Sequence, residues 1–335
     1  MLKKTNIKKN IVITKTPLRI SFFGGGTDFK QFFKNKQGIT ISTSINKYIY
    51  VTAKRHGELF KEKYRLNYSN TEIKNSWDTI KNEITKACIK FTNTKPPIYI
   101  STISDMPTSS GLGSSSSFTV GLLHALYKLN GIKINKNKLA YDAAKIEINI
   151  LKKPIGYQDQ FIASYGGFRV ITYYKNKIKV IKVKISQSNL EKIFSNIFLV
   201  WTKIQRDSSY ILTNQLNNLD KNQKYLNDIK KIAQQFLSSI KKNINIKNLS
   251  FLLDKSWKVK KNLSKKISNK KIDLIYSRFL NLGVKGGKLL GAGGGGFFLL
   301  VSSKKIKNRL KIKLKKNEII DIKPDKNGSK IIYSE

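Results

Sequence analysis

Pro107-Thr-Ser-Ser-Gly111-Leu-Gly113-Ser114-Ser115-Ser116-Ser117-Phe118-Thr119-Val120-Gly121-Leu122-Leu123 is the stretch on which the reading of this chain turns. A strand-like apolar run at 98–103 precedes it, with a turn at Asp105-Met106-Pro107, and the apolar periodicity beyond the serines predicts a helix to about Leu129. A glycine-serine loop in that position suits an anion. Glycines let the backbone approach a ligand with no Cβ in the way, the first helical amides lack an intrahelical partner, and the helix dipole adds about half a positive charge there. The serines add hydroxyls for phosphate oxygens or a hard cation. Gly/Ser runs also serve as linkers, but linkers join domains, and this one joins a strand to an apolar helix.

The chain has 335 residues, 40% of them apolar, enough for two domains or one large one. Its longest apolar runs, such as 297–301, have strand length and fall far short of the roughly 20 residues of a membrane span. The opening residues hold no apolar secretory core, so a cytoplasmic protein without a membrane partner is expected. The single cysteine, Cys88, excludes an internal disulfide framework and a cysteine-cluster metal site, and His56 and His124 leave little for zinc. Cys88 falls on the apolar face of a predicted helix and reads as a core residue.

A formal charge of +45 invites a nucleic-acid-binding reading. Against it, only seven of the 65 basic residues are arginine, the residue whose planar fork recognises phosphates and base edges. The lysines are spread along the whole chain among Ile and Asn, with no basic stripe interleaved with aromatics. They read as a solvated surface whose field attracts an anionic substrate, and no nucleic-acid partner is expected. The sequence carries no signal for oligomeric state.

In chain order, 11–23 is β-rich and interrupted at Pro17, and Gly24-Gly25-Gly26-Thr27-Asp28 then marks a tight turn. Residues 38–45 and 48–54 alternate as two paired strands, and 77–91 has helical spacing. A helix is predicted at 136–151 with Glu147 beside its apolar stripe, followed by a short helix that begins at Asp159, where the carboxylate complements the dipole, and stops at Gly166-Gly167. Residues 168–174 and 178–185 read as a hairpin around Lys175-Asn176-Lys177. Beyond 190 the pattern becomes a buried strand at 196–202, long lysine-rich helices at 207–240, 249–263 and 272–282, and a glycine loop at 286–296 running into a strand. A final helix (306–314) and short strands (318–322, 330–333) close it. We expect an α+β chain of two domains, 1–190 and 191–335.

Gly291-x-Gly293-x-x-Gly296 fits the dinucleotide fingerprint literally, but a strand follows it where that fingerprint needs a helix. The P-loop pattern fails as well: Gly287-Lys288 precedes Leu289 rather than Ser or Thr. Protein-kinase signatures do not occur. What remains is glycine-rich segments near 24, 111 and 293, with the acidic pair Glu147 and Asp159 between the second and third. Thr202-Lys203-Ile-Gln-Arg206-Asp-Ser208-Ser209, at a strand-to-helix junction, is a further candidate anion site through Lys203, Arg206 and Ser208.

Taken together, these segments resemble the GHMP small-molecule kinases. Pro107-x3-Gly111-Leu112-Gly113-Ser114-Ser115-Ser116 resembles the family's ATP-binding motif, 17–28 its first motif and 288–296 its third, in family order and across nearly the whole chain. Arg19-Ile-Ser-Phe-Phe-Gly-Gly-Gly-Thr-Asp28 with Ile155-Gly156-Tyr-Gln-Asp159-Gln, and Gly328-Ser329 near the end, are similar to the branch that phosphorylates anomeric hydroxyls, which includes the D-glycero-D-manno-heptose 7-phosphate kinases and fucokinases. The galactokinase branch has an acidic residue and a histidine where this chain has Gly25 and Gly26.

The resemblance implies a ribosomal-S5-domain-2-like first domain, a ferredoxin-like second domain and a cleft between them for ATP and a sugar phosphate. It implies that Pro107 and the run Ser110, Gly111, Leu112, Gly113, Ser114, Ser115 and Ser116 hold the ATP phosphates. Ser115 and Glu147 would hold Mg2+, Asp159 would orient or deprotonate the attacking hydroxyl, and Arg19 would pair with Asp159. Gly25, Gly26, Thr27 and Asp28 would meet the acceptor together with Gly156, Gln158, Gly293 and Gly294. Such a set is coherent for in-line phosphoryl transfer, which needs positioning and cation stabilisation above all.

Overall fold

A computed structural model of the chain describes residues 9–57, 59–205, 207–240, 244–314 and 318–335. The first layer is laid down by β1 (Ile11–Phe23), the one-turn helix α1 (Lys30–Phe33), β2 (Gly38–Arg55), β3 (Tyr64–Asn67), β4 (Thr71–Lys74), α2 (Glu83–Thr92), β5 (Ile98–Ser104), α3 (Ser114–Leu129), α4 (Lys136–Ala144), α5 (Gln158–Tyr165), β6 (Phe168–Tyr174) and β7 (Lys177–Lys182). The second comprises α6 (Gln187–Asn196), β8 (Ile197–Trp201), α7 (Ser208–Asn217), α8 (Gln223–Ile240), α9 (Ile246–Lys261), α10 (Lys270–Asn281), β9 (Gly286–Leu289), β10 (Phe297–Val301), α11 (Lys304–Lys313) and β11 (Ile319–Ile320). The strand β12 (Lys330–Ser334) then returns to the edge of the first sheet, beside β1. The first sheet runs β12-β1-β2-β5-β3-β4, with β6 and β7 continuing from β2, and the second runs β11-β8-β10-β9. This is the two-domain α+β fold expected, except that β12 lies with the first sheet.

Residues 38–45 and 48–54 belong to one strand of 18 residues rather than to two. Asn46-Lys47 looks like a turn, but β1 slips register between Pro17 and Arg19 and again between Ser21 and Phe23, so the pair twists together and never reverses. The two halves of β2 then take different second partners, β6 for Gly38–Thr43 and β5 for Ile49–Arg55. Pro17 falls at such a slip, where its missing N–H is tolerated.

Helix α3 packs over β1 and β2 and buries Val120, Leu122, Leu123, Leu126 and Leu129 in the first core, each contributing roughly 1.5–3 kcal/mol if fully buried. Gly121 permits the approach: a Cβ there would come 2.7 Å from Thr16 Oγ1, while Thr14 Oγ1 donates to the Gly121 carbonyl at 3.0 Å. A larger residue at 121 would lift the helix off the sheet.

Other differences from the expected elements have local causes. Residues 77–79 form a separate 3-10 turn, and α2 starts only where Asn82 accepts from the Thr85 amide. The expected helix at 207–240 is two, α7 and α8, separated by turns at 218–222 in which the Asn222 side chain bonds the Leu263 carbonyl at 2.6 Å. Helix α4 widens into a π-helix at Lys145–Ile150. No helix among the described residues is long and apolar enough to cross a membrane.

Candidate active site

Between the layers lies a cleft of about 250 Å³, against about 10 Å³ for the cavity behind Phe29 and Leu219; only the former has room for a ligand larger than water. The loop at 109–116 forms one side. Gly111 (φ 82°) and Gly113 (φ 77°) sit in the left-handed region, and Gly113 is the N-cap of α3. The loop is fixed on both flanks. The Arg19 amide donates to the Leu112 carbonyl at 3.0 Å, Ser117 Oγ donates to the Pro17 carbonyl at 2.9 Å, and Phe297 N donates to the Ser110 carbonyl at 3.1 Å. A Cβ on Gly111 would be 2.8 Å from the Leu290 carbonyl oxygen, and one on Gly296 would be 2.5 Å from that of Ser110. The third glycine segment therefore clamps the second.

Arg19 and Asp159 form the pair that the resemblance implied, and it is bidentate. Nε donates to Oδ1 at 2.7 Å and a terminal guanidinium nitrogen to Oδ2 at 2.6 Å, while the other reaches the Gly111 carbonyl at 2.6 Å. The register slip of β1 next to Arg19 is where a bulge can aim a side chain. The pair abuts the phosphate loop: a Cβ on Gly113 would touch both Asp159 Oδ2 and Arg19 at 3.2 Å. The Asp159 side chain stays 25% exposed, toward the cleft.

Glu147 is fully buried at the π-turn that ends α4 and does not itself line the cleft; it reaches the lining through Ser115 and Lys153. Its carboxylate accepts from Ser115 Oγ at 2.7 Å and from Gln160 Nε2 at 2.8 Å. Lys153 Nζ lies 3.0 Å from Ser115 Oγ and 3.4 Å from Glu147 Oε1. Ser115 and Glu147 thus offer hard oxygen donors at the edge of the phosphate loop, and an ammonium already sits against both, so the donor set fits Mg2+.

The acceptor side divides into residues that face the cleft and residues that support it. Gly25, Gly26, Asp28, Gly156, Gln158 and Ser208 line it. Asp28 accepts from the Gly26 amide at 2.9 Å and the Gln158 amide at 3.2 Å; burial raises its pKa above the usual carboxylate value, partly offset by those amides. Gly156 has no alternative, because a Cβ there would be 2.0 Å from Asp28 Oδ2. The Gln158 side chain is spent on Ser21 and Ser42.

Several expected site residues do not line the cleft. Thr27 is buried, its hydroxyl bonded to the Gly24 and Ile39 carbonyls at 2.8 and 2.9 Å. Gly293 and Gly294 press against Ile267. Ser110 and Leu112 are buried under the phosphate loop, and Pro107 points to solvent. Lys203 pairs with Glu318 on β11's side of the second sheet and is absent from the lining; Arg206 lies outside the described residues.

Three lysines of the cleft were not singled out from sequence: Lys153, Lys260 and Lys288. Burial, reinforced by the charge of Arg19, pulls the Lys288 ammonium down to about 7, and it donates to the Phe22 carbonyl at 3.1 Å. Lys260 did leave a signal. Leu249, Leu252, Leu253, Ser256, Trp257 and Lys260 form the buried face of α9, so a lysine stands where the helical period calls for an apolar residue.

Residues 78–167 match the family model of the GHMP kinases N terminal domain. The D-glycero-alpha-D-manno-heptose 7-phosphate kinase of Campylobacter jejuni subsp. jejuni is 28% identical over 292 residues, 84% of this chain and 86% of that protein. The galactokinase of Pyrococcus furiosus is 24% identical over 325 residues, 88% and 90% of the two chains. A solved D-glycero-D-manno-heptose 1-phosphate kinase from Bacteriodes thetaiotaomicron superposes with a TM-score of 0.78 at 21% identity, covering 96% of this chain and 100% of its own. Residues 78–167, which hold the phosphate loop, thus carry a GHMP kinases N terminal domain, and the chain as a whole shares the fold of a solved sugar kinase.

Proposed function

We propose that the protein is an ATP- and Mg2+-dependent sugar kinase that phosphorylates the anomeric hydroxyl of a sugar phosphate, D-glycero-D-manno-heptose 7-phosphate in the first instance, giving the 1,7-bisphosphate for nucleotide-activated heptose synthesis. The likeness over most of both chains to a heptose 7-phosphate kinase supports the acceptor class. One observation carries the chemistry: a guanidinium joins the acceptor-side carboxylate to the phosphate loop, binding Asp159 and the Gly111 carbonyl at once.

The amides and hydroxyls of 111–116 receive the triphosphate at the positive end of α3. Asp159 faces the loop from the other side, so a hydroxyl resting on it is aimed at the terminal phosphorus, and the carboxylate takes up its proton late in the transfer. Arg19 fixes the angle of Asp159 and sits beside the charge developing on the transferred group. Ser115 and Glu147 would hold Mg2+, which neutralises charge on the phosphates when bound with ATP. Asp28, held by two amides, meets sugar hydroxyls. The +45 charge draws both anionic substrates toward the cleft.

The test is acceptor-dependent ATP turnover across a panel of sugar phosphates and free sugars, with the product's phosphate position read by phosphorus NMR. An anomeric phosphate on heptose 7-phosphate is expected. Turnover with fucose alone would move the acceptor to a free sugar, and no acceptor-dependent turnover would remove the reading.

A further inference from the structure

Asp159 and Gln160 stand side by side in the first turn of α5, and successive helical residues point about 100° apart. Asp159 turns to Arg19 beside the phosphate loop, while Gln160 turns beneath the loop and is completely buried. Its amide spends its hydrogens there. Nε2 donates to Glu147 Oε2 at 2.8 Å and to Ser116 Oγ at 3.2 Å, whereas Oε1 is buried with no hydrogen-bond partner among the described residues. A buried acceptor left unmade is costly, and folded chains seldom keep one without a reason. The reason here is the carboxylate. Turning the amide over would set Oε1 against Glu147, oxygen to oxygen, so the charge of Glu147 decides which way the amide faces.

That orientation acts on the neighbouring serine. Ser116 Oγ receives an N–H, and no acceptor among the described residues takes its own hydrogen, although the side chain lines the cleft. A hydroxyl that accepts from beneath keeps its proton for what lies above. Ser115 is set the other way round. Its hydroxyl accepts from Lys153 Nζ at 3.0 Å and donates to Glu147 Oε1 at 2.7 Å, so its hydrogen is already committed. Two consecutive serines at one helix start thus have opposite polarity, Ser115 an acceptor suited to a cation and Ser116 a donor suited to an anion.

We propose that Gln160 is a positioning residue that sets this polarity: held by Glu147, it gives an amide hydrogen to Ser116 and so turns the Ser116 hydroxyl proton into the cleft, as a donor to a phosphate oxygen of the nucleotide. The assignment rests on the ATP-dependent kinase reading above and deepens it. One side chain that does not line the cleft links the carboxylate of the cation side to a donor on the phosphate side, and the orphaned Oε1 is what that link costs.

The experiment measures ATP dissociation constants by calorimetry in EDTA, where no divalent cation contributes, for the wild type, Ser116→Ala, Gln160→Glu, Gln160→Met and each Gln160 variant combined with Ser116→Ala. Gln160→Glu keeps the shape but faces Ser116 with an oxygen: ionised, it has only acceptors, and protonated, its one hydrogen goes to Glu147. The Ser116 proton is then drawn inward. ATP affinity is expected to fall about 10-fold in Gln160→Glu and in Ser116→Ala, the worth of a hydrogen bond to a charged group, and about 2- to 5-fold in Gln160→Met, which leaves the Ser116 hydroxyl unguided. Neither Gln160 variant should lower the affinity further once Ser116 is alanine. Losses that multiply in the double variants, a larger loss in Gln160→Met than in Gln160→Glu, as a residue that only fills space would show, or an unchanged affinity in Ser116→Ala overturns the assignment. A wild type that binds no ATP overturns the functional reading as well, so the two failures are told apart. Circular dichroism checks that each variant is folded, and if Gln160→Glu is not, Gln160→Met and its double variant complete the same cycle.

Discussion

Two carboxylates meet two cations at the cleft, Asp159 in its lining and Glu147 buried behind Ser115, and they are kept in different ways. Asp159 is held by a guanidinium fork from β1, remains partly exposed, and shows its free edge to the cavity. Glu147 is sealed by a π-turn, bonded to Ser115 and Gln160, and faces the tip of one flexible lysine. The first arrangement fixes direction, as a group that must aim a nucleophile requires; the second fixes charge, with a partner that can move aside for another cation.

The largest effect expected from this contrast is at Asp159. Asp159→Asn keeps a hydrogen-bonding side chain but cannot take up a proton, so kcat should fall by about 10³-fold while ATP affinity, measured by calorimetry, stays near the wild type. Activity close to wild type would remove Asp159 from the proton's path. Next is Glu147→Gln, which keeps shape and removes charge: a drop in kcat/KM of about 10²-fold is expected, largely recovered at high Mg2+, as for other losses of a charge-stabilising contact. A loss that no Mg2+ concentration recovers would mean that Glu147 is a buried strut. The smallest is Lys153→Met. With the competing ammonium gone, the Mg2+ concentration at half-saturation, followed by Mn2+ binding in electron resonance, should drop by about 2- to 5-fold, the scale of a partly exposed ion pair. A rise would place Lys153 among the groups that hold the nucleotide.

The sequence made the Asp159 half of this comparison readable and hid part of the other. The loop at 111–116 and helix α3 announced themselves through glycine spacing and apolar periodicity, because their conformations have few alternatives. Pairing Arg19 with Asp159, 140 residues apart in the chain, required the family resemblance, since no local pattern brings a strand residue to a helix start. Lys153 and Lys288 stayed hidden for a compositional reason: where lysine is the common surface residue, a buried one looks like its neighbours. Lys260 broke the period of α9 and was legible to a stricter reading. Asn46-Lys47 misled in the opposite direction, since a turn-like pair was carried through by bulges in the strand beside it. Thr27, Gly293 and Gly294 are needed for the backbone's shape, and sequence alone does not separate that need from contact with a ligand.

The return of β12 to the edge of β1 has a consequence for synthesis. Val12 to Lys15 pair with residues 330–334, and Ser329 joins Thr16 and His124 through its hydroxyl, so β1 gains its outer neighbour only after the second sheet has been made. Until then the nascent first domain carries an open edge, the kind of surface that recruits stray strands. Translation pauses between β1 and β12 would lengthen that exposure, and a chaperone that covers extended backbone would shorten it.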